Sequence, residues 1–488
     1  MKSVESGKLS RLIIGSLSLE KLKIRYSFLP IIILLALFFR IYKFSGVGLT
    51  TLEIANIERI LAFSDISNFL NENVTSNLYY FLQFLVGRGF GFSIINMRIT
   101  SIVISIIGLL AFHGFVREWF SKRAAYISTF LLSISFYYLM LSRNVSHEIF
   151  YFFLITFSLY FLTLAYRKKK KIYFAISGIL IGLNFYASEI TISLALIFIA
   201  SAIYFYYKNK KFITSYIREV MIALITFLMT LLPFLAAVAK RPGILVSQFT
   251  NSFSVVYENL NNLVASILVT SPKDYMYNVS DLPIFDPYIL LTFITGLIYI
   301  ILKMKRRKYY FLIVWTVVAL TVILIRKDFN LGNIVYLLPL IFIMSAIIQG
   351  YVLSKWFTTF PFNRWARIVM TLGIGFFFAM SLTYNFEKYF FAWQMFPERK
   401  LVYNVTPLSQ QIETPIYLYQ ISLSRDVAQI ILNKDNIEVV KLENTEELKN
   451  IPKPVILTSR LGANQIRKVG GLEEYRGLDL VLFKGSAQ

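Results

Sequence analysis

The stretch EIFYFFLITFSLYFLTLAYRKKKK, residues 148–171, joins a long apolar run to five consecutive cations, Arg167 to Lys171. A helix that crosses the hydrocarbon core of a bilayer requires about 20 apolar residues. Loops rich in Lys and Arg beside such helices remain on the cytoplasmic side. The stretch therefore predicts a transmembrane helix over 148–166 that ends at a cytoplasmic loop.

The composition of the whole chain agrees with this local pattern. Of its 488 residues, 57% are hydrophobic and 16% are charged, there is no Cys, and the mean hydropathy is +0.62. A soluble domain usually carries about 25% charged residues. These values exclude a soluble globular enzyme, a disordered chain, a disulfide scaffold and a zinc protein of the Cys type. They predict a polytopic α-helical membrane protein.

The same criterion predicts about eleven transmembrane helices within a membrane domain over 27–387. They cover 27–45, 97–117, 123–142, 148–166, 172–188, 190–207, 218–239, 287–304, 308–326, 333–353 and 366–387. A basic lead-in over 1–26 places the N-terminus in the cytoplasm, and every Lys/Arg-rich loop then becomes cytoplasmic as well. Loops 46–96 and 240–286 lie outside, where the apolar stretch 77–92 is predicted to be an interfacial helix.

The net charge of +23 does not indicate a nucleic-acid partner. The densest basic runs are 167–171, 208–211 and 303–308, and each directly follows an apolar stretch. Short loops between spans cannot form the continuous basic groove that nucleic acid requires. The charge pattern predicts contact with membrane lipids and no contact with nucleic acid.

The last hundred residues have a different pattern. Segments PIYLYQISL, IEVVKL, PVILTS and LDLVLF show the period-2 alternation of strands, and helical patterns separate them. They predict a small extracytoplasmic α/β domain over 388–488. This region contains no nucleophile elbow, phosphate loop or metal motif, which favours an accessory role over a catalytic one.

Carboxylates in the first outer loop are candidates for catalysis. Glu53 lies a few residues beyond the first span, and Glu58 follows it along the same predicted helix. Ionisable groups at a membrane boundary are costly and often mark function. A carboxylate here can act as a general base that deprotonates an acceptor hydroxyl. The alternative is a solvated acid at the N-terminus of a helix that begins after Thr50-Thr51.

A tight outer turn, residues 141–148, gathers Arg143, His147 and Glu148 between two spans. Such a turn can face an aqueous cavity beside the first outer loop. The alternative is a capping turn, with Ser146 as the N-cap, Glu148 in the first turn of the following helix and Arg143 near the C-terminus of the preceding helix. His147 and Glu148 could ligate a metal, but two ligands are a weak signal.

Two pairs of cations lie on the predicted outer side, against the general charge trend. They are Arg326-Lys327 and Lys240-Arg241. Cations at an outer membrane boundary are suited to a lipid phosphate. The alternative for each pair is ordinary snorkelling of the side chains to lipid headgroups.

Short elements over about 28–350 together resemble the bacterial GT-C glycosyltransferases of the protein-mannosyltransferase and aminoarabinose-transferase type. Phe39-Arg40-Ile41-Tyr42 resembles the Arg-aromatic end of the family's first span, and Thr50-Thr51-Leu52-Glu53 stands at its Trp-x-Asp-Glu-like element. Asn77-Leu78-Tyr79-Tyr80 resembles its interfacial Pro-Leu-Tyr-Tyr element.

Further elements follow in the same order as in that family. Arg98-Ile99-Thr100-Ser101 resembles the start of its second span, and Phe120 to Ala125 resembles its Phe-x-x-Arg-Ala-Ala element. The Ser142-Arg143 turn, the Gly-rich stretch Gly178 to Gly182, the segment Leu282 to Pro287 and Tyr336-Leu337-Leu338-Pro339 also fit. The chain departs from the pattern at Leu52, where the family has Asp, and at Glu189, where it often has Lys.

The resemblance implies an integral membrane glycosyltransferase of a bacterial-type plasma membrane. Such an enzyme transfers a hexosyl or pentosyl group from a polyprenyl-phosphate donor to a hydroxyl of a glycan, lipid or protein at the outer face. Glu53 and Glu148 would then be catalytic. The substrate-binding residues would be Arg143, His147, Glu58, Lys240, Arg241, Arg326, Lys327 and Tyr336. The chemistry neither requires nor excludes a divalent cation. The alternatives are a transporter or lipid flippase, and a divergent non-catalytic protein with this fold.

Overall fold

The computed structural model describes most of the membrane region and parts of the C-terminal region. The described residues are 28–44, 51–63, 76–187, 199, 215–240, 249, 252–269, 279, 282–327, 329–393, 415–419, 439–442, 455–459, 464–467, 472–476 and 480–485. The basic lead-in 1–26, Arg241 and Glu189 lie outside these residues, so the predictions for them remain predictions.

Helices dominate the described part of the chain. Those before residue 200 are α1 Phe28–Ile41, α2 Thr51–Leu61, α3 Asn77–Phe90, α4 Ile94–Trp119, α5 Lys122–Ile134, α6 Phe136–Arg143, α7 His147–Lys168 and α8 Lys171–Leu183. Those after it are α9 Ile217–Lys240, α10 Phe253–Leu268, α11 Pro287–Leu302, α12 Arg307–Leu324, α13 Leu338–Thr359 and α14 Arg364–Glu387. Short 3-10 helices cover Asn184–Tyr186 and Leu331–Tyr336, and a π-helix covers Lys388–Ala392.

The predicted spans coincide with these helices, except for 190–207, nearly all of which lies outside the described residues. Among the described helices, six are long and apolar enough to cross a bilayer, or seven if a bent pair forms one span. Helices α1, α8 and α11 are shorter apolar helices. The chain is therefore a multi-pass helical membrane protein, and the number of eleven spans remains a prediction.

The predicted span 123–142 is broken rather than continuous. Helices α5 and α6 meet at Ser135 and are bent by 63°. The Ser135 hydroxyl accepts a hydrogen bond from the Tyr138 N–H, and the Phe136 N–H donates to Asn385 Oδ1 at 2.8 Å. Backbone groups that leave the helix ladder within a membrane protein require such partners. Because of this break, α6 and the turn after Arg143 do not continue along the axis of α5.

Small residues let the helices approach each other closely. A Cβ atom at Gly178 would lie 2.2 Å from the Ala223 carbonyl oxygen, and one at Gly182 would lie 2.0 Å from Thr230 Oγ1. Both contacts join α8 to α9. Because helices within a bilayer associate through close packing, larger residues at these positions would separate them. The predicted Gly-rich element, Gly178 to Gly182, therefore serves helix packing.

The described C-terminal segments form a five-stranded sheet in the order β2-β1-β3-β5-β4. The strands are β1 Ile416–Tyr419, β2 Val439–Leu442, β3 Val455–Ser459, β4 Leu472–Arg476 and β5 Leu480–Gly485. Strand β1 is parallel to β2 and β3, and β5 is antiparallel to β3 and β4. Each of the four predicted strand segments contains a strand, whereas β4 was not predicted. The boundary at 388 and the accessory role remain predictions.

Candidate active site

Glu53 and Arg98 form a buried ion pair at one end of the helical core. Arg98 Nε donates to Glu53 Oε1 at 2.9 Å, and Arg98 Nη2 donates to Glu53 Oε2 at 2.7 Å. Both side chains are almost completely excluded from solvent. A two-point contact of this kind fixes orientation as well as charge. It joins the first turn of α2 to the beginning of α4.

The same face of α2 also holds the turn between α6 and α7. Val145 N–H donates to Glu53 Oε1 at 2.9 Å, and Asn56 Nδ2 donates to the Val145 carbonyl oxygen at 2.7 Å. Residues three apart lie on one helix face, so both polar groups of Val145 contact a single helix. Because the Glu53 carboxylate already accepts three hydrogen bonds, its contacts favour a positioning role over proton transfer.

Tyr80 connects Asn56 of α2 to His147. The Tyr80 hydroxyl donates to Asn56 Oδ1 at 2.8 Å and lies 3.2 Å from His147 Nδ1. Arg59 Nη1 donates to the same hydroxyl at 3.3 Å. Burial raises the pKa of Tyr80 to about 12, so the phenol stays neutral and keeps its proton to donate. Helix α3, the predicted interfacial helix, thereby contributes to the site.

Glu148 lies on the other side of the turn and is also buried. Its Oε2 accepts a hydrogen bond from the Ser146 hydroxyl and lies 3.7 Å from His147 Nδ1. Ser146 occupies the N-cap position of α7, but its side chain caps no backbone N–H. The positions in the capping alternative are confirmed, since Ser146 is the N-cap residue of α7, Glu148 lies in its first turn and Arg143 lies in the last turn of α6. The Ser146 hydroxyl, however, binds the Glu148 carboxylate rather than a backbone N–H.

The 3-10 helix Leu331–Tyr336 closes this side of the site. A Cβ atom at Gly332 would lie only 2.5 Å from Glu148 Oε1. Tyr336 is buried and stacks on Tyr151, with ring centroids 5.7 Å apart. The Tyr151 and His147 rings pack edge to face, with their centroids 5.2 Å apart. Tyr151 therefore lies between Tyr336 and His147 and contacts both rings.

Arg143 is buried beneath the turn rather than exposed beside it. Its Nη1 donates to the Phe39 carbonyl oxygen at 2.8 Å, and its Nη2 donates to the Lys43 carbonyl oxygen at 3.0 Å. The guanidinium also lies over the rings of Tyr389 and Phe390. It thus supplies donors to the C-terminal end of α1, where helix carbonyl groups lack partners. These contacts favour a structural role over substrate binding.

The remaining predicted site residues have their described contacts elsewhere. Glu58 is exposed on the face of α2 opposite Glu53, and Lys240 is exposed at the end of α9. Lys327 is exposed, and the Arg326 carbonyl oxygen accepts a hydrogen bond from Asn259 Nδ2 at 2.8 Å.

Three residues of this site were given no specific role from the sequence. They are Asn56, Tyr80 and Arg98. An arginine near the start of a span often pairs with a carboxylate inside the protein, and this was the signal that pointed to the pair with Glu53.

In the part of the chain that the structure describes, no group of three or more His, Asp and Glu side chains could hold a metal ion. His147 and Glu148 are adjacent, but two ligands do not define a metal site.

Comparison with known proteins gives one sequence family and several similar folds. Residues 76–236 match the family of dolichyl-phosphate-mannose-protein mannosyltransferases. A search of curated proteins gave no match. ArnT from Cupriavidus metallidurans bound to undecaprenyl phosphate is similar with a TM-score of 0.57 and 11% identity, over 95% of this chain and 99% of that chain.

A second solved structure extends the comparison to an archaeal enzyme. It is the oligosaccharyltransferase AglB from Archaeoglobus fulgidus in complex with an inhibitory peptide and a dolichol-phosphate. The TM-score is 0.51 and the identity is 14%, over 96% of this chain and 75% of that chain. Both matches span the helices and the C-terminal region together. The sequence-based resemblance is confirmed at the level of architecture: the chain shares its fold with ArnT and AglB.

Proposed function

We propose that the protein is an integral membrane glycosyltransferase that moves a sugar from a polyprenyl-phosphate donor to an acceptor hydroxyl at the outer face of the membrane. The observation that carries this proposal is the full-length fold similarity to ArnT bound to undecaprenyl phosphate. The family match over 76–236 supports it independently, because that family is described by a lipid-phosphate sugar donor.

The proposed reaction is displacement at the anomeric carbon. The acceptor oxygen forms a bond to this carbon while the bond from the carbon to the phosphate oxygen breaks, and the polyprenyl phosphate leaves with the electron pair. The acceptor proton passes to Glu148, which lies beside His147 in the turn. His147 is the more exposed of the two side chains, so the acceptor approaches from its side.

Glu53 acts in this proposal as a positioning residue. Its bonds to Arg98 and to the Val145 N–H hold the backbone three residues before Glu148. A general base must be held within hydrogen-bond reach of the proton that it accepts, and small displacements are costly. This assignment replaces the sequence-based hypothesis that Glu53 itself accepts the proton.

Cations bind the departing phosphate in this proposal. Arg59 is exposed and contacts Tyr80 at the edge of the cluster. The predicted outer pairs Lys240-Arg241 and Arg326-Lys327 are further candidates, because side-chain cations stabilise the charge of a departing phosphate. The hexosyl or pentosyl group, the acceptor and the bacterial plasma-membrane location, with a cytoplasmic N-terminus, are parts of the same proposal.

The experiment is a donor-consumption assay on the purified protein in liposomes with radiolabelled polyprenyl-phosphate sugars and a membrane extract that supplies glycan, lipid and protein acceptors. Removing the base in the Glu148→Gln variant is expected to lower turnover by about 10²–10⁴-fold. The matched control is Glu118→Gln, which changes a partly exposed carboxylate at the opposite end of α4 and should retain wild-type turnover. Equal donor consumption by wild-type protein and Glu148→Gln would refute the assignment.

The same liposomes separate the alternative functions. A transporter or flippase would move the lipid-linked sugar between leaflets without breaking the bond to phosphate. A non-catalytic protein with this fold would leave both the location and the chemistry of the donor unchanged. Release of free polyprenyl phosphate that depends on Glu148 supports only the glycosyltransferase.

A further inference from the structure

A cavity lies at the opposite end of the helices from the candidate active site. It has a volume of about 600 Å³, is partly open at the surface, and lies between the loop that joins α4 to α5, the loop that joins α11 to α12, and the second half of α13. Pockets for small molecules usually measure about 300–1,000 Å³. The lining combines cations, aromatic rings and small side chains, and the proposed glycosyl transfer uses none of them.

The polar wall of this cavity is strongly basic. Arg306, Arg307 and Lys308 line it, and the described lining includes no Asp or Glu. Lys308 Nζ donates to the Trp119 carbonyl oxygen, which holds the start of α12 against the end of α4. Arg123 Nη1 donates to Ser354 Oγ at 2.8 Å, which places a further cation beside the lining residue Ser354. The wall therefore presents positive charge to one cavity that is partly open at the surface.

The other wall is aromatic and apolar. Tyr299 packs between Tyr351 at 4.7 Å and Tyr309 at 6.0 Å, measured between ring centroids. Ala346 and Ile347 of α13 complete the lining toward the helical core. An occupant of this cavity can therefore place an anionic group among the cations and an apolar portion against the rings.

We propose that this cavity binds the phosphate headgroup of an anionic phospholipid at the predicted cytoplasmic surface. Basic pockets between membrane helices on this side bind anionic lipid headgroups in general. Ordinary snorkelling would spread the cations along the surface, whereas here they line a cavity with an aromatic wall.

Gly350 provides a way to fill the cavity without disturbing the helices. It lines the cavity, and a Cβ atom added to it would meet no atom within 4 Å. Gly350→Leu should therefore place a side chain in the space that the lipid occupies. Gly373 on α14 has an equally open environment but does not line the cavity. Gly373→Leu is thus the matched control, since both changes replace a helical glycine with the same residue.

The test measures phosphatidylglycerol retained by the detergent-purified full chain, using native mass spectrometry after exchange with mixed phosphatidylglycerol and phosphatidylcholine vesicles. Wild-type protein and Gly373→Leu are expected to retain phosphatidylglycerol selectively. The double variant Arg306→Gln/Arg307→Gln should bind it about tenfold or more weakly, because it removes two cations that face the headgroup. Gly350→Leu should weaken binding by about tenfold or more as well, because its side chain takes the space of the lipid.

Three outcomes would overturn the proposal. They are equal retention by all variants, equal retention of phosphatidylcholine, and displacement of the lipid by millimolar inorganic phosphate. The last outcome would indicate a site for free phosphate rather than for a lipid. Arg306 and Arg307 are exposed, so their replacement is expected to leave the fold intact and to keep the test informative if Gly350→Leu fails to fold.

Discussion

Glu53 binds Arg98 through both carboxylate oxygens, at 2.9 and 2.7 Å, and the pair is buried between α2 and α4. The same carboxylate accepts the Val145 N–H at 2.9 Å. One side chain therefore connects the outer loop, the second predicted span and the turn that carries Glu148. The arrangement of the proposed active site depends on this connection.

Glu53→Gln is expected to lower the free energy of unfolding by about 3–5 kcal/mol, because it leaves the Arg98 charge buried without its partner. Thermal unfolding in detergent measures the effect. The matched control is Glu118→Gln, which breaks an exposed ion pair with Arg167 at 2.7 Å and should cost no more than about 1 kcal/mol. Similar losses of stability for the two variants would contradict the structural role of Glu53.

Tyr80→Phe is expected to lower turnover by about tenfold or more, because small displacements of catalytic groups are costly. The lost hydroxyl contacts Asn56 and His147. Tyr79→Phe is the control: its hydroxyl binds Ser101 and Gln83 instead, so it should affect stability more than turnover. Initial rates with saturating donor lipid separate the two variants. A larger loss of rate in Tyr79→Phe would count against the proposed position of His147.

Asn385→Ala is expected to destabilise the protein by about 2–5 kcal/mol, since each buried polar group left without a partner costs about 1–3 kcal/mol. Asn385 accepts the Phe136 N–H at the break and donates to Asp286 Oδ2 at 2.7 Å. Asn363→Ala removes an exposed N-cap on the same helix and should cost about 1 kcal/mol. Comparable shifts in the unfolding temperature would show that Asn385 does not stabilise the break.

These contacts also show which features could be predicted from the sequence. The length of the apolar runs predicted the membrane helices, because a helix of about 20 apolar residues can cross the bilayer core. The break at Ser135 was not predicted, since its stabilising partner Asn385 lies 249 residues after Phe136. The strand Leu472–Arg476 was missed because its sequence, LEEYR, shows no apolar alternation.

The candidate site was predicted in part. The first outer loop and the turn at 141–148 are in contact, as the hypothesis of a shared site requires. The role of Glu53 could not be inferred, because its partner Val145 uses backbone atoms, which any residue except proline would supply. Arg143 was predicted to bind substrate because it is a charged residue in an outer turn. Its guanidinium instead donates hydrogen bonds to backbone carbonyl groups, which the sequence does not reveal.

Removal of divalent cations with EDTA is expected to change donor consumption by less than about twofold. In the proposed reaction, side-chain cations bind the departing phosphate, and this form of charge stabilisation requires no metal. Rates measured after dialysis against EDTA, with and without added Mg²⁺ or Mn²⁺, check the expectation. A large loss that Mn²⁺ restores would place a metal in the reaction and contradict the prediction.

Gly332→Ala is expected to lower turnover by about 10²-fold, since a misplacement of about 1 Å can have this effect on a catalytic group. The added methyl group would lie 2.5 Å from Glu148 Oε1, so the carboxylate must move. Gly373→Ala, at a position where a Cβ atom meets nothing within 4 Å, should retain wild-type turnover. Unfolding temperatures of both variants establish that the comparison concerns folded protein. Wild-type turnover in folded Gly332→Ala would show that the position of Glu148 does not govern the reaction.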